Sequence, residues 1–159
     1  MLQIFTTGGT IDKVYFDARS EYEVGPPQIE RILAAVAFSE PYAIETLMRK
    51  DSLDMSDDDR SVIRAAVEST PAGCVLITHG TDTMVETGLA LAGIPQKTIV
   101  LVGSLSPARF VGSDAEFNIG FALAAAQTLP PGVFVAMNGR VFDVNHVRKN
   151  REENRFEAV

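Results

Sequence analysis

Apolar residues along this chain follow two alternating patterns. Short continuous runs, Leu2–Thr6, Ala43–Leu47, Cys74–Thr78, Thr98–Val102 and Val133–Met137, are separated by stretches where apolar side chains recur every three or four positions. Continuous apolar runs suit strands covered by helices on both faces. The spaced recurrences predict amphipathic helices. Pro26-Pro27 precedes a helix over Gln28–Phe38, where Ile29, Ile32, Leu33 and Val36 form one stripe. Ser56 stands as N-cap to Asp57–Ser69, whose leading aspartates suit the positive end of the helix dipole. Thr83–Ala92 stops at Gly93, and Asp114–Thr128, opened by Ser113 or Asp114, stops before Pro130-Pro131. Asn138-Gly139, between Val135–Met137 and Val141–Asp143, predicts a tight hairpin.

Strand alternating with helix predicts βαβ units. The expected fold is therefore α/β: a three-layer αβα domain, Rossmann/flavodoxin-like, with a mostly parallel sheet and a C-terminal β-hairpin. Two segments carry neither pattern. Ile11–Gly25 reads as a lid or a disordered excursion, and the charged Asn145–Val159 as a helix, a tail or a contact with another chain.

At 159 residues, with 46% hydrophobic and 22% charged positions, the chain fits one globular domain over residues 1–159. A net charge of −7 argues against nucleic acid as a partner, because that requires clustered Lys and Arg. No apolar stretch suits a bilayer and no signal pattern opens the chain, so a cytoplasmic setting without membrane partners is expected. Cys74, the one cysteine, lies in an apolar run and reads as a buried, inert thiol.

Two stretches carry the candidate chemistry. Thr6-Thr7-Gly8-Gly9-Thr10 and Thr78-His79-Gly80-Thr81-Asp82-Thr83 each place threonines where a strand gives way to a turn. In open α/β sheets, ligands collect in the crevice beyond the carboxyl ends of the strands. Hydroxyls and a carboxylate, with no cluster of metal-ligand spacing, point to nucleophilic hydrolysis without metal or cofactor. The paired glycines permit close backbone approach but match neither dinucleotide nor P-loop spacing. Main-chain N–H groups near Thr81 suit an oxyanion. Taken alone, Asp82 reads as a helix cap and His79 as a local hydrogen-bonding group. A hydroxyl nucleophile needs a base, and composition does not choose among Lys13, Lys50, Lys97, Lys149 and the two histidines.

Together these stretches resemble the bacterial-type L-asparaginase family over essentially the whole chain. Thr7-Gly8-Gly9-Thr10-Ile11 is similar to its first signature and His79-Gly80-Thr81-Asp82-Thr83-Met84 to its second. Tyr22-Glu23-Val24-Gly25 resembles its lid, Asp51-Ser52-Leu53-Asp54-Met55 its substrate-binding turn, and Asp143–Asn150 the segment bearing its lysine. The resemblance implies that Thr7 attacks the side-chain amide of asparagine or a similar small amide such as glutamine, releasing ammonia. It implies that Tyr22 orients Thr7 on lid closure, and that Thr81, Asp82 and Lys149 form a proton-moving group. Gly8, Ser52, Leu53, Gly80 and Asp82 would bind substrate, and the protein would be a homodimer or higher homo-oligomer.

Family members carry a second, smaller α/β domain, so the resemblance implies a short, single-domain version here. Leu53 stands where the family often has a polar substrate ligand. Each unreplaced hydrogen bond to a charged ammonium would cost about 1.5–3 kcal/mol. Two other expectations stay open: a non-enzymatic module binding aspartate or asparagine, and an amidase subunit of a larger amidotransferase.

Overall fold

The computed structural model describes residues 1–159. In chain order it contains β1 (Leu2–Gly8), the hairpin β2 (Lys13–Phe16) and β3 (Glu21–Val24), α1 (Ile29–Ala35), β4 (Tyr42–Lys50) and α2 (Asp57–Ser69). Then follow β5 (Cys74–Thr78), α3 (Met84–Ala90), β6 (Thr98–Val102), α4 (Ala115–Thr128), β7 (Gly132–Met137), β8 (Arg140–Asp143), β9 (Val147–Asn150) and β10 (Arg155–Ala158). The main sheet runs β4-β1-β5-β6-β7-β8, parallel throughout except for the antiparallel β7–β8 pair.

Every residue of β1 and β6 is buried, as the continuous apolar runs require. Successive side chains point to opposite faces of the sheet. Phe5, Ile77 and Leu101 therefore join one core layer while their neighbours Ile4, Leu76 and Val100 join the other. Full burial of one such side chain stabilises the fold by about 1.5–3 kcal/mol.

The helix over Asp57–Ser69 has the expected bounds, opened by a reciprocal capping box between Ser56 and Asp59. Others are shorter than predicted. α1 ends at Ala35 because Ala37 adopts a left-handed φ of 48° and Val36 turns to solvent. The last residues of the third predicted helix form turns before Gly93, at φ 81°. β4 outruns its expected range by one residue at its start and three at its end.

Two segments without pattern are ordered hairpins. Within 11–25, Tyr15 stands directly opposite Tyr22, and the Gly25 N–H donates to the Asp12 carbonyl at 2.7 Å, closing the hairpin's base. Within 145–159, β9 pairs with β10, and Phe156 buries itself in the core. Both hairpins escaped periodicity because their strands have four residues and expose much of their surface. Cys74 is half-buried rather than buried, since it begins β5 at the sheet's rim.

Candidate active site

The carboxyl ends of β1 and β5 lie side by side, with Thr6 paired to Thr78. Beyond β1 the chain reverses through Gly8 and Gly9, at φ 100° and 90°, into a 3-10 turn over Thr10–Asp12. Both positions need glycine. A Cβ on Gly8 would lie 2.6 Å from the main chain of Lys50, and one on Gly9 within 2.5 Å of Gly80. The two turns are thus packed backbone to backbone.

Thr7 lies beneath this contact, fully buried, and its hydroxyl donates to the Thr78 carbonyl at 2.8 Å. The Thr7 proton is thereby committed, and no solvent reaches the side chain, which the sequence had placed against a substrate. Thr10, after the glycine reversal, is partly exposed at the mouth of the turn. Sequence reading passed over Thr10. The overlooked signal was the glycine pair itself, which turns the chain so that the residue following it emerges.

The second turn begins where the His79 N–H donates to the Val102 carbonyl at 2.9 Å. Gly80 packs on Ser52, whose Cβ and Oγ lie 2.7 Å from where a Gly80 Cβ would stand. Ser52 is buried, and its carbonyl accepts the Thr83 hydroxyl at 2.8 Å. Thr81 is buried, and Lys149 Nζ donates both to its hydroxyl and to Asp82 Oδ1, each at 2.8 Å. Lys149 reaches this turn from β9, with only 11% of its side chain exposed, so the ion pair is shielded on one side. Asp82 therefore binds a lysine and does not cap α3, whose N-cap is Thr83.

Asp51, before Ser52, is held below the usual carboxylate range. Partial burial alone would raise it, but the Leu53 N–H, the Lys13 ammonium at 3.0 Å and the charge of Lys149 outweigh that effect. Lys13 thereby ties β2 to the Ser52 turn. Leu53 itself is 61% exposed and projects from that turn into solvent.

Burial pushes the His79 imidazole down to about 4, so it is neutral near pH 7 and carries no charge into the site. Tyr22 is half-exposed, its ring 5.3 Å from that of Tyr15 and 5.7 Å from that of Phe110. Its neighbours are aromatic; it has no hydrogen bond to any of the threonines. No three His, Cys, Asp or Glu side chains are grouped to hold a metal ion. Thr81, Asp82 and Lys149 are thus in direct contact, Gly80 and Ser52 adjoin them, and the side chains of Thr7, Tyr22 and Leu53 make no hydrogen bond to this group.

These features define an open α/β domain whose buried polar groups gather beyond the carboxyl ends of two adjacent parallel strands. The chain belongs to the asparaginase family: the family model for the asparaginase N-terminal domain matches residues 1–158. It is 34% identical to a probable periplasmic L-asparaginase of Haemophilus influenzae over 93% of this chain and 46% of that protein. The solved thermostable L-asparaginase from Thermococcus kodakarensis superposes with a TM-score of 0.85 at 29% identity, covering 99% of this chain and 51% of that one. One of the subunits of a glutamyl-tRNA(Gln) amidotransferase from Methanococcus vannielii is 39% identical over 83 residues, 51% of this chain and 19% of that protein. The chain spans about half the length of the curated asparaginases it matches. No helix is long and apolar enough to cross a membrane.

Proposed function

We propose that this chain is an amide-hydrolysing domain that releases ammonia from asparagine or a similar small amide through a threonine hydroxyl. The observation that carries this reading is Lys149 Nζ, bonded at once to the Thr81 hydroxyl and the Asp82 carboxylate. A partly shielded hydroxyl–ammonium–carboxylate chain beside a strand-end turn can move protons where an amide bond is cleaved.

We assign the attack to Thr10 rather than Thr7, because Thr10 is partly exposed and Thr7 is sealed under the glycine contact. Thr10 Oγ bonds to the amide carbon, and the C–N bond breaks to leave an ester. The Lys149 ammonium gives a proton to the departing nitrogen, which leaves as ammonia, and is restored by the Thr10 hydroxyl proton passed through Thr81. Water then cleaves the ester, and the same relay returns a proton to Thr10. Ser52 and Asp82 hold the amino-acid end of the substrate. Tyr22 closes over it from the β2–β3 hairpin, shutting out water and strengthening the electrostatic interactions inside.

The test is ammonia release from asparagine, glutamine and their D-isomers. Thr10→Val and Thr81→Val should each abolish it with the fold intact. Thr7→Val should retain activity and lose about 1 kcal/mol of stability with its buried hydrogen bond. An inactive but folded Thr7→Val beside an active Thr10→Val would reverse the assignment. Similarity to the amidotransferase component favours a second reading, in which the domain supplies ammonia to a larger assembly. Co-purification of a larger amidotransferase partner chain would select it.

A further inference from the structure

His79 is a fully buried ionisable group beside the Thr81 turn that the proposed chemistry leaves unused. Its Nδ1 lies 2.6 Å from the Gly80 carbonyl, and its Nε2 lies 2.8 Å from the Thr87 hydroxyl. A carbonyl only accepts, so Nδ1 carries the ring proton. In the neutral ring Nε2 then accepts, and Thr87 must donate to it. The Thr87 oxygen in turn receives Arg60 Nε–H at 3.3 Å. One direction of donation runs from Arg60 through Thr87 and His79 to Gly80, with each donor matched to an acceptor.

The Gly80 carbonyl and the Thr81 N–H belong to one planar peptide unit and point in opposite directions. Fixing the carbonyl toward His79 therefore aims the Thr81 N–H away from it. The N–H groups of Gly80, Thr81 and Asp82 have no acceptor within the protein. Gly103 lets the next strand end lie close against this turn, since a Cβ there would meet the His79 carbonyl.

We propose that His79 is a positioning residue, whose Nδ1–H holds the Gly80 carbonyl so that the Thr81 N–H points at the oxyanion formed during amide cleavage. This rests on the hydrolase reading for its chemical consequence, but the geometry can be tested without turnover. In the 15N-labelled full chain, His79 should show a protonated Nδ1 and a bare Nε2, unchanged between about pH 5.5 and 8, where an ordinary histidine titrates. His79→Asn places an amide N–H near the Nδ1 position, whereas His79→Gln places one near Nε2. The Thr81 and Asp82 amide resonances should keep their positions in the Asn variant and move in the Gln variant. In the ammonia assay the Asn variant should stay within a fewfold of the parent. The Gln variant should lose about tenfold or more in kcat at unchanged KM, as for a misaimed oxyanion donor. A protonated Nε2, or Asn and Gln variants that behave alike, would overturn the proposal. A parent chain that shows the expected tautomer but no turnover would count against the hydrolase reading alone.

Discussion

Asp12 sits in the 3-10 turn that carries Thr10, 1% exposed, with its carboxylate accepting the Gln28 N–H at 2.8 Å. Burial pushes it up to about 6 from 3.8, against the smaller opposing effects of that hydrogen bond and of Arg49. A carboxyl with a raised folded-state value favours the fold when protonated. Its contribution is complete below pH 3.8 and is lost as pH rises through about 6. The difference between the two values corresponds to about 3 kcal/mol. Asp12→Asn keeps an acceptor for Gln28 and removes the charge, so it should stabilise the protein clearly at pH 7.5 and little at pH 4. Thermal unfolding of both proteins at the two values checks this; an equal shift at both would show that charge burial is not the cause. A second residue-scale expectation concerns Lys149. Lys149→Met should abolish ammonia release, because it breaks both hydrogen bonds that join Thr81 to Asp82. It leaves Asp82 beside Arg151 at 3.9 Å, so the carboxylate stays near a cation and the fold should persist by circular dichroism.

At the scale of elements, α3 and β9 determine whether Lys149 reaches its partners. Gly88 on α3 packs so closely that an added Cβ would lie 2.5 Å from Val144 Cγ2 and 3.3 Å from Leu101. Val144 begins the 3-10 turn that leads into β9. Gly88→Ala should therefore push this turn outward, costing about 1–3 kcal/mol and lowering kcat through a displaced Lys149. Loss of stability with fully retained kcat would show that β9 moves independently of α3. How far such relations are legible in a sequence depends on their range. The core strands were readable because burial on both faces leaves a continuous apolar run, and α2 because Ser56 and its aspartates mark its start locally. The β9–β10 hairpin was not readable, since what holds it is the distant bond from the Phe156 N–H to Asn138 and the burial of Phe156. The same limit applied to the site. His79-Gly80-Thr81-Asp82 announced a turn, but the choice of Lys149 over three other lysines came from family resemblance. Thr10 required the backbone reversal at two positive-φ glycines, which motif spelling does not convey.

Across the whole molecule, Thr10, Ser52, Thr81, Asp82 and Lys149 all come from one chain, whereas the rim around them is thin. Leu53 projects into solvent, Tyr22 is half-exposed, and Arg151 shows 64% of its side chain. We propose that a second copy of this chain covers that rim, in keeping with the general preference of soluble oligomers for two-fold homodimers. The chemical step and substrate retention should then respond differently to dilution. Every group of the proposed relay comes from one chain, so on that reading kcat should hold constant as protein concentration falls. KM should rise as the assembly separates, because weakly held substrate escapes an open rim. Ammonia-release kinetics over a wide dilution series, run beside sedimentation velocity, reads both quantities on one sample. A kcat that falls with dissociation would mean that the partner contributes to the reacting groups themselves, and a KM indifferent to it would place substrate recognition entirely within a single copy.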